Sequence, residues 1–306
     1  MTLFQQSLFE LSLRLAFHEK RGDEFQVFFS RLMGLRYPTE FMATRPWGKL
    51  GDRKCDGYHA PTRTLFQCFA PNDVALADTL GKMTEDFTGA LPHQKVFWDR
   101  WVFVHNAPEG RLPTDVVQML AKFQHDHPGV TAEAWGFYAL RKLALELSEV
   151  DLRSLLPAIP TPADFADLGL RDLEPIVAHL ATGEEPQEGE VSPPPPGKIA
   201  HNRLSPAAAR QLTLGMAYSR LLKQFLAAMP DKTDGDRIAA LFRAKYQLLA
   251  REGGEPDAIL MDLFAFAAGP LRSGNLRRDA AVWTVLAYLF EHCEIFERPG
   301  EPGNAP

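Results

Sequence analysis

Three observations predict a mixed-sheet α/β domain followed by an all-α helical bundle. Before residue 180 helical and strand-like hydrophobic periods alternate, whereas beyond residue 200 every apolar segment is spaced as a helix. Between them runs GEEPQEGEVSPPPPGK, which clusters acid with the four consecutive prolines Pro193 to Pro196 and holds almost no apolar side chain. The length of 306 residues fits two domains, since a domain averages roughly 150 residues and each part can then bury its own core. A hydrophobic fraction of 45% against 24% charged excludes a disordered chain or a small disulfide scaffold.

Element by element, Phe25 to Leu35 is helical, with Phe25, Phe28, Phe29 and Leu32 on one face. Three short strands follow, Glu40 to Thr44, Cys55 to His59 and Thr64 to Phe69, divided by turn residues such as Gly48, Gly51 and Pro61. Val74 to Ala90 reads as a helix, and Trp101 to Asn106 (WVFVHN) as a buried strand. Thr114 is the expected cap of the helix Asp115 to His125. A strand from Val130 to Trp135 and a helix from Tyr138 to Leu147 complete an α-β-β-β-α-β-α-β-α order. Residues 1–180 are therefore assigned to the α/β domain and 181–200 to an extended acidic linker. Residues 201–306 form the bundle, whose expected helices are Ala207 to Met229, Asp236 to Arg251, Pro256 to Ala268 and Asp279 to Phe296, before a frayed tail. The last helix is apolar nearly all round. It is either the central helix of the bundle or an interface, for a partner or a second copy, around Trp283, Leu286 and Phe290.

The net charge of −6 excludes a basic nucleic-acid coat over the whole surface. The charge is uneven, however: residues 1–70 hold 10 basic and 7 acidic side chains, and residues 151–200 hold 3 and 9. Three cysteines, Cys55, Cys68 and Cys293, lack metal-ligand spacing and suit a reducing compartment. Glu10 and Arg14 interrupt the first apolar segment, and no uncharged stretch reaches the roughly 18 residues of a membrane span. A cytoplasmic protein without membrane contact is expected.

Chemistry concentrates in Gly51 to Pro71, GDRKCDGYHAPTRTLFQCFAP. Asp52 and Asp56 lie before and within the first strand of a hairpin, and Gln67 lies in the second. A hard cation such as Mg²⁺ takes oxygen ligands, and an acid and an amide on neighbouring strands can converge on one such ion to polarise a phosphodiester. The plainer reading makes the two aspartates turn formers beside glycine and Gln67 a buried amide satisfied by backbone.

The pattern Gly51-Asp52-x-x-x-Asp56-Gly57, followed by Phe66-Gln67-Cys68, resembles the Mrr-type restriction endonucleases of the PD-(D/E)xK superfamily. The order of elements over residues 24–106 is similar to that superfamily's core. The resemblance implies a metal-dependent DNA nuclease in which Asp56 and Gln67 line a Mg²⁺ site and Glu24, on the preceding helix, completes it. The family motif carries G-D-x-G-x-D-G and then Q-x-K. Here Phe69 stands at the catalytic lysine and Lys54 at the motif's second glycine, so Lys54 or Lys49 is the candidate replacement. Three readings follow: an active nuclease, a nuclease-like domain that only binds nucleic acid, and an inert scaffold.

A second resemblance rests on GDRKCDGY, FQCFAP, TEDFTGAL, WVFVHN, EAWGFYALRKL and the closing AYLFEHCEIFE. Together these resemble proteins of the ABC three-component systems, bacterial anti-phage assemblies. It implies an effector or sensing domain fused to a helical docking domain that works beside a middle component and an SMC-like ATPase. The other class of function is a catalytically inactive adaptor whose N-terminal sheet binds DNA or a partner protein. No G-x-x-x-x-G-K loop is present, so no ATPase motif belongs to this chain. His125 and His127 read as a solvated helix end, and His105-Asn106 as a strand end. Trp98, Trp101 and Trp135 read as core, and Cys55 and Cys68 as small buried groups.

Overall fold

The computed structural model describes residues 1–44, 55–71, 75–93, 97–107, 110–181, 197–229, 233–269, 275–292 and 295–299. Asp52, Lys54, Lys49, Cys293 and linker residues 182–196 lie outside the described residues.

The first helix, α1 (Leu3–Glu19), precedes the α/β unit. That unit runs α2 (Gly22–Arg36), β1 (Phe41–Ala43), β2 (Gly57–His59), β3 (Thr64–Phe69), α3 (Leu76–Ala90), β4 (Arg100–His105), α4 (Thr114–Asp126), β5 (Thr131–Trp135), α5 (Phe137–Leu145) and α6 (Glu149–Leu155). The expected order is found. The strands lie in the order 1-2-3-4-5. The first three form an antiparallel meander, with Gly57 opposite Phe66, and β3, β4 and β5 are parallel, with Gln67 beside Phe103. The parallel part is covered on both sides, which is why WVFVHN reads as a continuous apolar run. On one face Leu65, Trp101 and Phe103 pack with Met83, Phe87 and Phe123 from α3 and α4. Phe87 and Phe123 stack with ring centroids 4.0 Å apart. On the other face Phe29 of α2 meets Phe41 and Phe66. A side chain at Gly57 would collide with the Phe41 ring, so the glycine after Asp56 is set by packing.

One cap differs from expectation. Thr114 is the first helical residue of α4 and Pro113 precedes it, with no side-chain cap. Proline already fixes a φ suited to helix entry, so the chain turns without a hydroxyl.

The contacts divide the chain into Lys20–Leu155 and a second unit of Met1–Glu19 with Leu156–Pro306. This corrects the expected boundaries at 180 and 200. Leu11 and Leu15 of α1 belong to the helical core, as do Phe165 of α7 (Pro162–Ala166) and Leu173, Ile176, Val177 and Leu180 of α8 (Leu170–Ala181). The helical unit continues through α9 (Lys198–His201), α10 (Pro206–Met216), α11 (Ser219–Ala228), α12 (Asp234–Arg251), α13 (Pro256–Ala268) and α14 (Leu276–Glu291). The single helix expected over Ala207–Met229 is two, because the chain turns at Ala217 and Tyr218, where the Tyr218 ring meets Phe165 at 6.1 Å.

Helix α14 is the central one. Trp283, Leu286 and Phe290 are 3%, 0% and 1% exposed. The docking or dimer face expected there is corrected: those side chains are the unit's own core. Gly215 of α10 permits the close approach, since a Cβ there would lie 2.6 Å from the Trp283 carbonyl oxygen. The buried ammonium of Lys198 donates to the carbonyls of Phe290 and Ile295 at 2.8 and 2.6 Å. It thereby supplies donors and positive charge where α14 ends. No described helix is long and apolar enough to cross a membrane.

Candidate functional site

Asp56 sits just before β2 and is 5% exposed. Its own N–H donates to the Phe66 carbonyl at 2.9 Å, which ties it to β3. One carboxylate oxygen then accepts the backbone N–H of Cys68 at 2.7 Å, and the other accepts the Gln26 amide of α2 at 2.8 Å. The side chain thus takes up a strand N–H beyond the Gly57–Phe66 pair and clasps α2 to the sheet. A buried N–H needs such an acceptor, and an ionised one makes the stronger bond.

Gln67, also 5% exposed, lies on the opposite face of β3 from Phe66 and Cys68, beside Phe103. Its Oε1 is buried with no hydrogen-bond partner, and so is Nε1 of nearby Trp101. Phe69, at the family's lysine position, turns the same way as Gln67, and its ring packs 5.7 Å from that of Phe103. Glu24 is exposed on α2. Two residues along a helix are about 200° apart, so Gln26 and Glu24 occupy opposite faces and α2 offers an amide to Asp56. Among the described residues no three His, Cys, Asp or Glu side chains are gathered as metal ligands.

These residues fit Mg²⁺ poorly. Both Asp56 oxygens are engaged by N–H donors, which would have to leave for a cation to enter. The orphaned Gln67 oxygen is a single neutral donor, and a phenyl ring fills the place of the charge that would act on phosphate.

Two neighbours define the rest of the chemistry here. His105, paired with Phe69, is 3% exposed at the end of β4. Its Nδ1 accepts the Ala107 N–H at 3.2 Å, and burial pulls its pKa down to about 4, so the ring is neutral at ordinary pH. Burial, and then the Asp56 charge, push the Cys68 thiol well above its usual range, which removes the thiolate a nucleophile requires. Asn106 donates to the Lys20 carbonyl at 3.0 Å. Trp98 and Trp101 are fully buried, as expected of core residues.

Gln26 went unrecognised in the sequence, because it lies off the Phe25, Phe28 and Phe29 stripe and has no motif partner. Equally unmarked is a polar group at the other end of the hairpin. There His59 Nδ1 lies 2.7 Å from the Thr62 hydroxyl, with Nε2 3.4 Å from Glu40.

Residues 171–297 match the model of C-terminal domain 10 of the ABC-three component (ABC-3C) systems. The match begins in α8 and takes in all of α9 to α14, nearly the same helices that pack around α14. It supports an ABC-3C system protein. No curated protein and no solved structure matched the chain.

Proposed function

We propose that the chain is a component of a bacterial anti-phage three-component system in which the α/β unit acts as a binding module and the helical unit docks the other system subunits. The match over residues 171–297 supports such a system and, with it, partners drawn from the system's other components; the resemblance of the sequence implies that these are an SMC-like ATPase and a middle component. The observation that favours a non-catalytic unit is the Asp56 carboxylate, engaged on both oxygens by Cys68 and Gln26. A residue that clasps the fold is poorly placed to ligate a cation as well. With Phe69 packed on Phe103, the position on β3 where the nuclease resemblance expects a lysine carries no charge.

The orphaned oxygen of Gln67 favours a second reading, a metal nuclease completed by residues outside those described, Lys54 among them. Incubation of plasmid DNA with the full chain, its system partners and Mg²⁺ or Mn²⁺ separates the two. The binding reading expects no nicking or linearisation above that of a Gln67→Ala control. Cleavage abolished by Gln67→Ala would establish the nuclease.

A further inference from the structure

A cavity of about 370 Å³ opens between α2, α5 and the sheet of the α/β unit. It lies at the hairpin-tip end of β2 and β3, away from Asp56, and on the face of β3 opposite Gln67. Three kinds of group meet there. Trp135 supplies flat aromatic surface, backed by the buried Phe66 ring with centroids 5.1 Å apart. Arg100 and Lys142 supply positive charge. Thr62, beside the buried Thr64, supplies an exposed hydroxyl.

The charges do not cancel. Glu146 also lines the cavity, but its carboxylate is held by Arg36 at 2.5 and 2.8 Å. Arg100 donates through one terminal nitrogen to Glu133 at 2.6 Å, while its Nε is buried with no hydrogen bond. Among the described residues no ion pair engages Lys142. The hydroxyls are oriented as well: Thr62 Oγ1 lies 2.7 Å from both His59 Nδ1 and Thr64 Oγ1.

A buried polar atom without a partner is costly in a finished fold. Aromatic walls have no use for a bare anion, and cations have none for a purely apolar guest. The volume lies within the range of small-molecule sites, about 300–1,000 Å³. We propose that this cavity binds a nucleotide, its base stacked against Trp135, its phosphate drawn by Lys142 and Arg100 and its sugar within reach of Thr62. The nucleotide is either free or one unit of a single strand, since both present the same chemistry.

The test is titration of the full chain with AMP, GMP, CMP and UMP, read by calorimetry and by Trp fluorescence. Adenosine and inorganic phosphate serve as half-ligands, and a short oligothymidylate serves as competitor. Lys142 is exposed, so Lys142→Gln removes one charge at little risk to folding, and an unchanged melting temperature checks this. The proposal expects at least one mononucleotide to bind more tightly than either half-ligand and its dissociation constant to rise about tenfold or more in Lys142→Gln. Displacement by the oligothymidylate assigns the nucleotide to a strand and its absence to the free form, and both sustain the site. The proposal is overturned by no binding of any mononucleotide up to about 1 mM. Affinity unchanged in Lys142→Gln, or phosphate binding as tightly as the nucleotides, overturns it too.

Discussion

Asp56 and His105 show how single side chains at the hairpin and its neighbouring strand serve the fold first. Asp56 joins Cys68 of β3 to Gln26 of α2 through one carboxylate. His105 is buried in its neutral form, and this has a measurable consequence. Its folded-state pKa of about 4 lies below the ordinary value of 6.5, so the unfolded chain binds the extra proton first. Stability is complete above pH 6.5 and falls as the pH drops towards 4, by on the order of 3 kcal/mol from this residue. His105→Asn keeps an acceptor near the Ala107 N–H and removes the titration. Urea midpoints followed from pH 7 to 4 should decline more steeply in the wild type than in the variant; parallel curves would contradict the assignment. Asp56 and Gln67 stand out in the sequence by their spacing around Gly57. The preference for Gln26 over Glu24 is hidden, because a sequence does not say which side of a solvated helix turns towards a sheet edge.

At the scale of elements, α10 and α14 set the helical unit. Gly215 is a poor helix former, and alanine there would favour the isolated helix by about 1 kcal/mol. The Cβ would, however, meet the Trp283 carbonyl oxygen at 2.6 Å and the Ala287 Cβ at 2.8 Å. Overpacking of that kind costs roughly 1–3 kcal/mol, so packing outweighs propensity and Gly215→Ala should lower the urea midpoint. A raised midpoint would mean that the two helices are less close than described. The helical period of α4 and the continuous apolar run of β4 could be read directly because each has one dominant pattern. The break at Ala217–Tyr218 could not, since apolar residues run on through it and the Phe165 contact that Tyr218 makes there is tertiary. The all-round apolar character of α14 pointed equally to a core and to an interface, and burial on every side decides for the core.

Over the whole molecule, chain order and unit membership part company. α1 and the helices after residue 156 pack with the unit that contains the ABC-3C match, while Lys20–Leu155 forms the α/β unit by itself. The proline-rich run drew the expected boundary because its composition is extreme, whereas the division after Leu155 is followed by a shorter run with Pro157, Pro160 and Pro162 but no clustered acid. The α-β-β-β-α-β order was legible, since period-2 and period-3.6 segments alternate cleanly there. Its chemistry was less so: a family motif marks positions, and only the geometry shows Asp56 engaged on both oxygens and Phe69 set against Phe103.

The most direct measurement is urea unfolding of the full chain and of Asp56→Ala, each with and without excess Mg²⁺. A ligand that binds only the folded state must raise its stability. If Asp56 is a clasp, its removal leaves the Cys68 N–H without its acceptor and lowers stability by roughly 1–3 kcal/mol, and Mg²⁺ shifts neither protein's midpoint. A wild-type midpoint that rises with Mg²⁺, with the rise abolished in Asp56→Ala, would contradict the clasp and make Asp56 a metal ligand.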